Sequence, residues 1–400
     1  MRIASTLWRI AFVFLIVSGS IGLLMRLQFF NPIGNFNYQF LLHAHSHVVL
    51  LGWVFNALVA GLHWMLFKEE TSRRQVLLYG LFQVSILGML FSFPIVGYAA
   101  VSVIFSTLHI VLSYIWVVSI WKRTKTIGGI AGEFVRWALF YLLISTIGPF
   151  SLGPIIATGG AGSNLYFMAI YFYLHFLYNG AFIFCLLGMF FWFLREKGFL
   201  IDSVKARRML QLLNIQCVSG IMLSALWTQP HPLVYVIGAF AGVVQIVALI
   251  LLVAIVNPVW KTFLEKISRP AAFLIKLSFF GLVLKIVLQA ISALPVVADL
   301  AYDVRNYTIG YLHLVFLGVI TPFLFAWFDI QQLQSRKSAL KNWGLAFFLI
   351  GVVSSEFVIV TQAMWGGGYY FKLLFAASLL LLIGIVLLFP SGKLRISKPI

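Results

Sequence analysis

The sequence predicts an all-α polytopic membrane protein of twelve transmembrane helices, and three observations predict it. First, 62% of the 400 residues are hydrophobic and only 10% are charged, at a mean hydropathy of +1.03. A soluble domain carries about 25% charged residues, so this chain lacks the polar supply to wet a globular surface. Second, apolar runs of about 20 residues, enough to cross a hydrocarbon core of about 30 Å, recur along the whole chain. Third, basic residues gather in every second loop. Disorder, collagen and coiled coil are excluded by the same composition. The aromatic fraction of 16% suits lipid-facing and interfacial surfaces.

The spans are read at roughly 5–26, 40–67, 74–95, 98–121, 134–158, 165–194, 207–228, 232–256, 271–298, 306–330, 339–362 and 368–389, as one twelve-helix domain over residues 1–400. The first begins like a signal peptide, Met1-Arg2 before an apolar run, but the run reaches Met25 without a clear small-residue cleavage site and is read as a retained span. The second carries His43, His45 and His47, with His63 at its far end. The fourth carries His109, the sixth His175 and the tenth His313. Cys185 and Cys217 fall within apolar runs, so no disulfide framework or thiolate zinc site is expected. The ninth and eleventh spans hold Lys285 and Glu356. The glycine-rich turns at Gly159-Gly160-Ala161-Gly162-Ser163 and Gly366-Gly367-Gly368 lack the strand–helix context and spacing of a nucleotide loop.

The basic loops follow spans two (Lys68, Arg73, Arg74), four (Lys122, Arg123, Lys125), six (Arg195, Lys197, Lys205, Arg207, Arg208), eight (Lys261, Lys266, Arg269) and ten (Arg336, Lys337, Lys341), and the tail adds Lys393, Arg395 and Lys398. The intervening loops hold little beyond Arg26 and Arg305. By the positive-inside rule both termini are cytoplasmic, in keeping with an even number of spans. The net charge of +18 is thereby accounted for by a lipid bilayer as the partner, with no need of nucleic acid.

Orientation turns sequence position into depth. At 1.5 Å per residue, His45 and His313 lie about 8–12 Å below the outer face and His109 and His175 about 15–18 Å. An isolated intramembrane histidine is ordinarily an interhelical hydrogen bond. Several entering from one face at two matched depths point to a site, because polar residues are costly there unless they serve one. Neutral imidazole is the commonest transition-metal ligand and the usual haem ligand. On span two, His43 and His47 share a face while His45 lies about 200° round from each. One haem can use His45 or the other face, and periodicity alone does not choose.

These segments resemble the haem–copper oxidase superfamily, in its catalytic subunit I and the related nitric oxide reductase large subunit. Leu42-His43-Ala44-His45-Ser46-His47-Val48-Val49-Leu50-Leu51-Gly52-Trp53 is similar to that family's second-helix segment, and Tyr311-Leu312-His313-Leu314-Val315-Phe316-Leu317-Gly318 to its tenth-helix His-x-His segment. The resemblance implies a subunit I-like bundle in the inner (cytoplasmic) membrane. It implies a low-spin haem b with His45 and His313 as axial ligands, and electrons from a donor protein or a quinol. The departures are as informative. Tyr311 stands where the high-spin haem ligand belongs, and the seventh helix reads Asn214-Ile215-Gln216-Cys217-Val218-Ser219-Gly220 without the expected copper-binding histidine pair. His175-Phe176-Leu177-Tyr178-Asn179 keeps one copper-position histidine but places Asn179 where the family has its tyrosine, with Tyr178 at three residues on. Ordinary oxygen reduction is therefore not expected.

His109 and His175, with Tyr178, are the candidates for a substitute centre holding copper or a second haem. Their alternative is a polar interhelical network. Lys285 and Glu356 are expected to support haem propionates, line a proton path or pair with each other. Lys276 and Lys372 are expected to snorkel, and Gln245 and Gln289 to act as interhelical glue. No Cys-x-x-Cys-His motif offers a covalent haem. Two other functions compete: a twelve-span secondary transporter, and a non-catalytic haem- or copper-binding sensor or assembly factor. Against the transporter, the histidines of spans two, four and six have no counterparts in spans eight and twelve, as an internal repeat would require. The loop Lys68-Glu69-Glu70-Thr71-Ser72-Arg73-Arg74 also lacks the glycine–aspartate–arginine signature of the major facilitators.

Overall fold

A computed structural model describes residues 3–68, 71–331 and 338–390. Met1, Arg2, Glu69, Glu70, Arg336, Lys337, Lys393, Arg395 and Lys398, some of which enter the charge reading above, lie outside the described residues. Among the described residues twelve helices are long and apolar enough to cross a membrane: α1 Ile3–Leu27, α2 Tyr38–Phe67, α3 Arg73–Val96, α4 Ala100–Trp121, α5 Gly129–Ala157, α6 Asn164–Glu196, α7 Ser203–Thr228, α8 Pro232–Glu265, α9 Arg269–Ile291, α10 Arg305–Ile330, α11 Ala339–Trp365 and α12 Tyr369–Leu388. No strand occurs among the described residues. The chain is thus an all-α multi-pass bundle suited to a lipid bilayer.

The ends differ from the sequence boundaries where proline misleads. Span nine was expected to run to 298 but stops at Ile291, because Pro295 opens a separate short helix, Pro295–Asp303. Span eight was expected to stop at 256, before Asn257-Pro258, yet Pro258 sits inside a helix that continues to Glu265. Caps set other starts: Ser72 accepts from the Gln75 amide and Gln75 answers with its side chain, a reciprocal capping box. Asp202 caps α7 by accepting from the Val204 and Lys205 amides, and Ser268 caps α9 by accepting from the Ala271 amide.

By its contacts the chain divides into two compact units, residues 1–119 with 324–400 and residues 120–323. In the first, Trp8 stacks on Phe328 at 3.8 Å and meets Trp53 at 5.4 Å, while Phe12 stacks on Phe325 at 5.3 Å. Helices α11 and α12 lie backbone to backbone there, since a Cβ on Gly384 would come within 2.3 Å of the Phe348 nitrogen. In the second unit a Cβ on Gly281 of α9 would reach the Gly318 carbonyl of α10 at 2.5 Å. Small residues that let backbones meet are the usual means of packing helices where lipid removes the hydrophobic drive.

Three spans stand apart. In α2, α6 and α10 the buried share of the apolar window is 89%, 94% and 67%, against 33–44% for the other nine. These three also carry π-helical segments, Val48–Phe55, His175–Phe182 and Leu314–Ile320, each starting at a histidine or directly after one. A π turn leaves backbone carbonyls poorly satisfied, and side chains supply the missing donors. Asn56 Nδ2 donates to the Gly52 carbonyl at 3.0 Å, and Ser278 Oγ donates to the Val319 carbonyl at 2.8 Å. Such segments occur frequently at functional sites.

The close approach at α11–α12 is testable. Gly384→Ala should lower stability by about 1–3 kcal/mol, the usual cost of overpacking. Gly80→Ala on α3, where an added Cβ meets nothing within 4 Å, should leave the thermal melt in detergent unchanged or slightly raised. Equal behaviour of the two variants would mean that α11 and α12 do not pack at this distance.

Candidate functional site

The histidines of α2 are positioned by the first turns of that helix. Asn37 caps it, its side chain accepting from the Gln39 and Phe40 amides. His45 turns toward α1, where its Nδ1 donates to the Ser18 carbonyl at 2.9 Å. Gly22, one turn on along α1, makes room for the ring, since a Cβ there would lie 3.1 Å from His45 Cε1. An Nδ1–H held by a carbonyl fixes the tautomer and leaves the lone pair on Nε2, the arrangement that metal-bound imidazoles use. His43 and His47 turn to the opposite side. Their rings lie 4.6 Å from Tyr98 and 4.4 Å from Phe93 respectively, and His47 Nδ1 donates to the His43 carbonyl at 2.8 Å. The two faces expected from the residue spacing are thus the two that the helix presents.

His109 on α4 is buried between Phe55 and Phe82, with ring centroids 5.0 and 5.1 Å away. Ser85 Oγ gives its one proton to the Phe82 carbonyl at 2.7 Å, so it must accept from His109 Nδ1 at 2.9 Å. His109 Nε2 therefore carries its lone pair, and this buried atom has no hydrogen-bond partner among the described residues. His63, at the other end of α2, is fully engaged by Tyr79 Oη at 2.9 Å and Thr71 Oγ1 at 3.1 Å.

The second unit holds His175, also buried, at the head of the π segment of α6. Its Nε2 donates to the Cys217 carbonyl of α7 at 2.8 Å, so its Nδ1 accepts from Asn179 Nδ2 at 3.2 Å. Gly220 leaves the space: a Cβ there would lie 3.4 Å from His175 Cε1. Just beyond the Cys217 carbonyl the ladder of α7 tightens into a 3-10 segment, Gly220–Thr228. With both nitrogens committed, His175 matches the interhelical-network alternative rather than a metal ligand in this arrangement. Tyr178 faces Tyr311, their rings 6.4 Å apart, and Tyr311 Oη donates to Gln289 Oε1 at 3.2 Å. His313 is half-buried and ends the α-helical part of α10, immediately before its π segment.

No protein-family model matches the chain, and no curated protein matches its sequence. Among the described residues no group of three or more His, Cys, Asp or Glu side chains is arranged to hold a metal ion. His45 and His47 each have Nδ1 anchored to a backbone carbonyl. His109 belongs to the first unit and His175 to the second, and each has its own partners there.

The buried Lys285 and the half-buried Glu356 also have their own neighbours. Lys285 Nζ donates to Gln289 Oε1 at 2.6 Å, within α9. Glu356 has Arg26 as its cationic neighbour in the first unit, and the Arg26 guanidinium also donates to Ser378 Oγ. Each thus has a neighbour within its own unit. Lys276 and Lys372 are exposed, as snorkelling side chains would be. His231, left unassigned by the sequence, caps α8 through its Nδ1 at 3.3 Å from the Leu233 amide. Gln216, which the sequence reading quoted without giving it a role, is buried beside His175. Its only signal was a long polar side chain in the middle of an apolar span.

The commitment of His175 predicts an asymmetry between the two deep histidines. His175→Ala strands the Cys217 carbonyl and the Asn179 amide and should cost about 1–3 kcal/mol, the price of unsatisfied buried groups. His109→Phe, among aromatic rings and losing one serine bond, should cost less. Chemical denaturation in detergent checks the order, and the reverse order would show that His109 holds the larger network.

Proposed function

We propose that the chain is a haem b-binding redox protein of the inner (cytoplasmic) membrane, of the haem–copper oxidase and nitric oxide reductase type, with both termini cytoplasmic. In this reading His45 and His313 would hold the haem. The observation that carries this reading is the His45 imidazole, whose Nδ1–H is held by the Ser18 carbonyl, a tautomer with its lone pair on Nε2, and whose ring is seated against Gly22. That is the donor a haem iron takes, on the residue that the sequence resemblance selects. His313 comes from the other unit, and its pairing with His45 rests on the resemblance alone.

When bound, a b-type haem with two histidine ligands supplies one-electron transfer and leaves no open iron position for a substrate. The chain's own residues have simpler tasks. Ser18 holds the His45 proton on Nδ1, so that the ring offers Nε2 and does not turn. Gly22 keeps α1 close enough for that bond. A donor protein or a quinol is the proposed electron source. Of the two deeper histidines, His109 has a lone pair to give to copper or a second haem, whereas His175 has spent both nitrogens. Tyr311, engaged with Gln289, stands where a high-spin haem ligand is required, and turnover of oxygen is not part of this function.

The purified protein from haem-sufficient cells should show the Soret and α bands of a six-coordinate low-spin haem b, confirmed as pyridine haemochrome. His45→Ala and His313→Ala should each abolish the low-spin signal, and His47→Ala should retain it. Loss with His47→Ala and retention with His45→Ala would move the site to the other face of α2. A colourless protein after haem supplementation would return the chain to the transporter reading.

With an artificial electron donor, oxygen and nitric oxide consumption should stay far below that of a complete haem–copper oxidase. Robust turnover lost in His175→Ala would instead mean that a second catalytic centre operates.

A further inference from the structure

The haem reading leaves one deeply buried group without a task. Lys285 is 1% exposed, in the middle of α9, and among the described residues no acidic side chain pairs with it. Its one hydrogen bond, to Gln289, uses one of three ammonium protons. The titratable groups that act on it electrostatically are the Cys217 thiol and the His175 imidazole. His175 donates through one nitrogen and accepts through the other, so it is neutral and brings no counter-charge. A buried ammonium without an anion is expensive, far more so than a buried amide.

The space beside it is already furnished. Lys285 lines a small cavity with Asn179, Gln216 and Gln245, and the cavity volume of ≈ 20 Å³ admits one or two water-sized occupants. Three polar atoms of these neighbours are buried with no hydrogen-bond partner among the described residues: Gln216 Nε2, Asn179 Oδ1 and Gln245 Oε1. Native structures rarely strand so many polar atoms in one place. Orphaned atoms from three different helices, meeting around a charge that lacks its opposite, describe a site and not a packing fault.

We propose that this cavity binds a small monovalent anion of halide size, held by the Lys285 ammonium and the Gln216 amide N–H. Charge sets the class of ligand, because water alone satisfies the amides but leaves the ammonium uncompensated. Volume sets its size, because carboxylates and oxyanions of several heavy atoms exceed the space of two waters. The lining also has acceptors. Asn179 Oδ1 is fixed toward the cavity, since its amide nitrogen is committed to His175, and it takes a proton from a water that shares the cavity with the anion. The Gln245 amide binds the same water through its oxygen, or turns by 180° and gives the anion a second amide donor. The site lies wholly within the second unit and is independent of the haem.

The test uses the full chain purified in detergent, melted in sodium bromide and in sodium gluconate at equal ionic strength. Gluconate is too large for the cavity. Bromide should raise the melting temperature saturably, by about 3 °C or more at saturation, as a ligand of the folded state does. Lys285→Met should abolish the saturable rise, and Gln216→Leu should shift its midpoint to at least several-fold higher bromide. Equal melts of the wild-type chain in the two salts, or a rise that survives in Lys285→Met, would overturn the proposal. Should Lys285→Met fail to fold, anomalous diffraction from wild-type crystals grown in bromide decides: a bromide peak beside Lys285 Nζ supports the site, and a cavity holding only water overturns it. A haem spectrum that is unchanged between the two salts keeps the result separate from the haem reading.

Discussion

Hydrocarbon offers no hydrogen bonds, so every polar atom drawn into these twelve spans must be satisfied by the chain itself or by something the chain binds. That constraint explains most of the polar geometry. His45 gives its proton to a carbonyl of the preceding helix, His47 to a carbonyl of its own, His109 to a serine whose own proton is already spent, and His175 to a carbonyl on α7. In each case one nitrogen is fixed by a neighbour, and the state of the other follows. It keeps an unengaged lone pair in His109 and is consumed in His175. Four chemically identical side chains thereby acquire different capacities from their second partner alone.

The same constraint shapes the backbone. In two of the three π segments a side chain meets a backbone carbonyl, Asn56 at Gly52 and Ser278 at Val319. The widening falls in the three best-buried spans, where neighbouring helices can supply donors. In a lipid-facing helix the same distortion would leave carbonyls against acyl chains.

Much of this was legible in the sequence. Span number follows from runs of apolar residues because the hydrocarbon thickness fixes their length. The division of His43 and His47 from His45 follows from 100° per residue, and it held because these residues precede the π segment. What sequence periodicity did not reveal is where the helical phase changes. The π turn of α10 draws on a tertiary partner, Ser278 of α9, which local propensity does not reveal. Proline was a poor guide to ends, since Pro258 was absorbed in α8 whereas Pro295 began a new helix. The cavity around Lys285 was illegible for another reason: Asn179, Gln216, Gln245 and Lys285 come from four helices, and each alone reads as ordinary interhelical glue or an isolated charge. Likewise His109 and His175, matched in depth by residue counting, divide between two sets of neighbours that depth does not specify.

The bond between Ser18 and His45 also bears on how the protein is made. It joins α1 to α2, so this contact of the His45 imidazole forms when that helical hairpin packs in the bilayer. Gly22 meets the same ring and comes from the same hairpin. Both residues leave the ribosome well before His313, which emerges only with α10. Biosynthesis thus sets one nitrogen of the ring in the membrane long before the later helices exist.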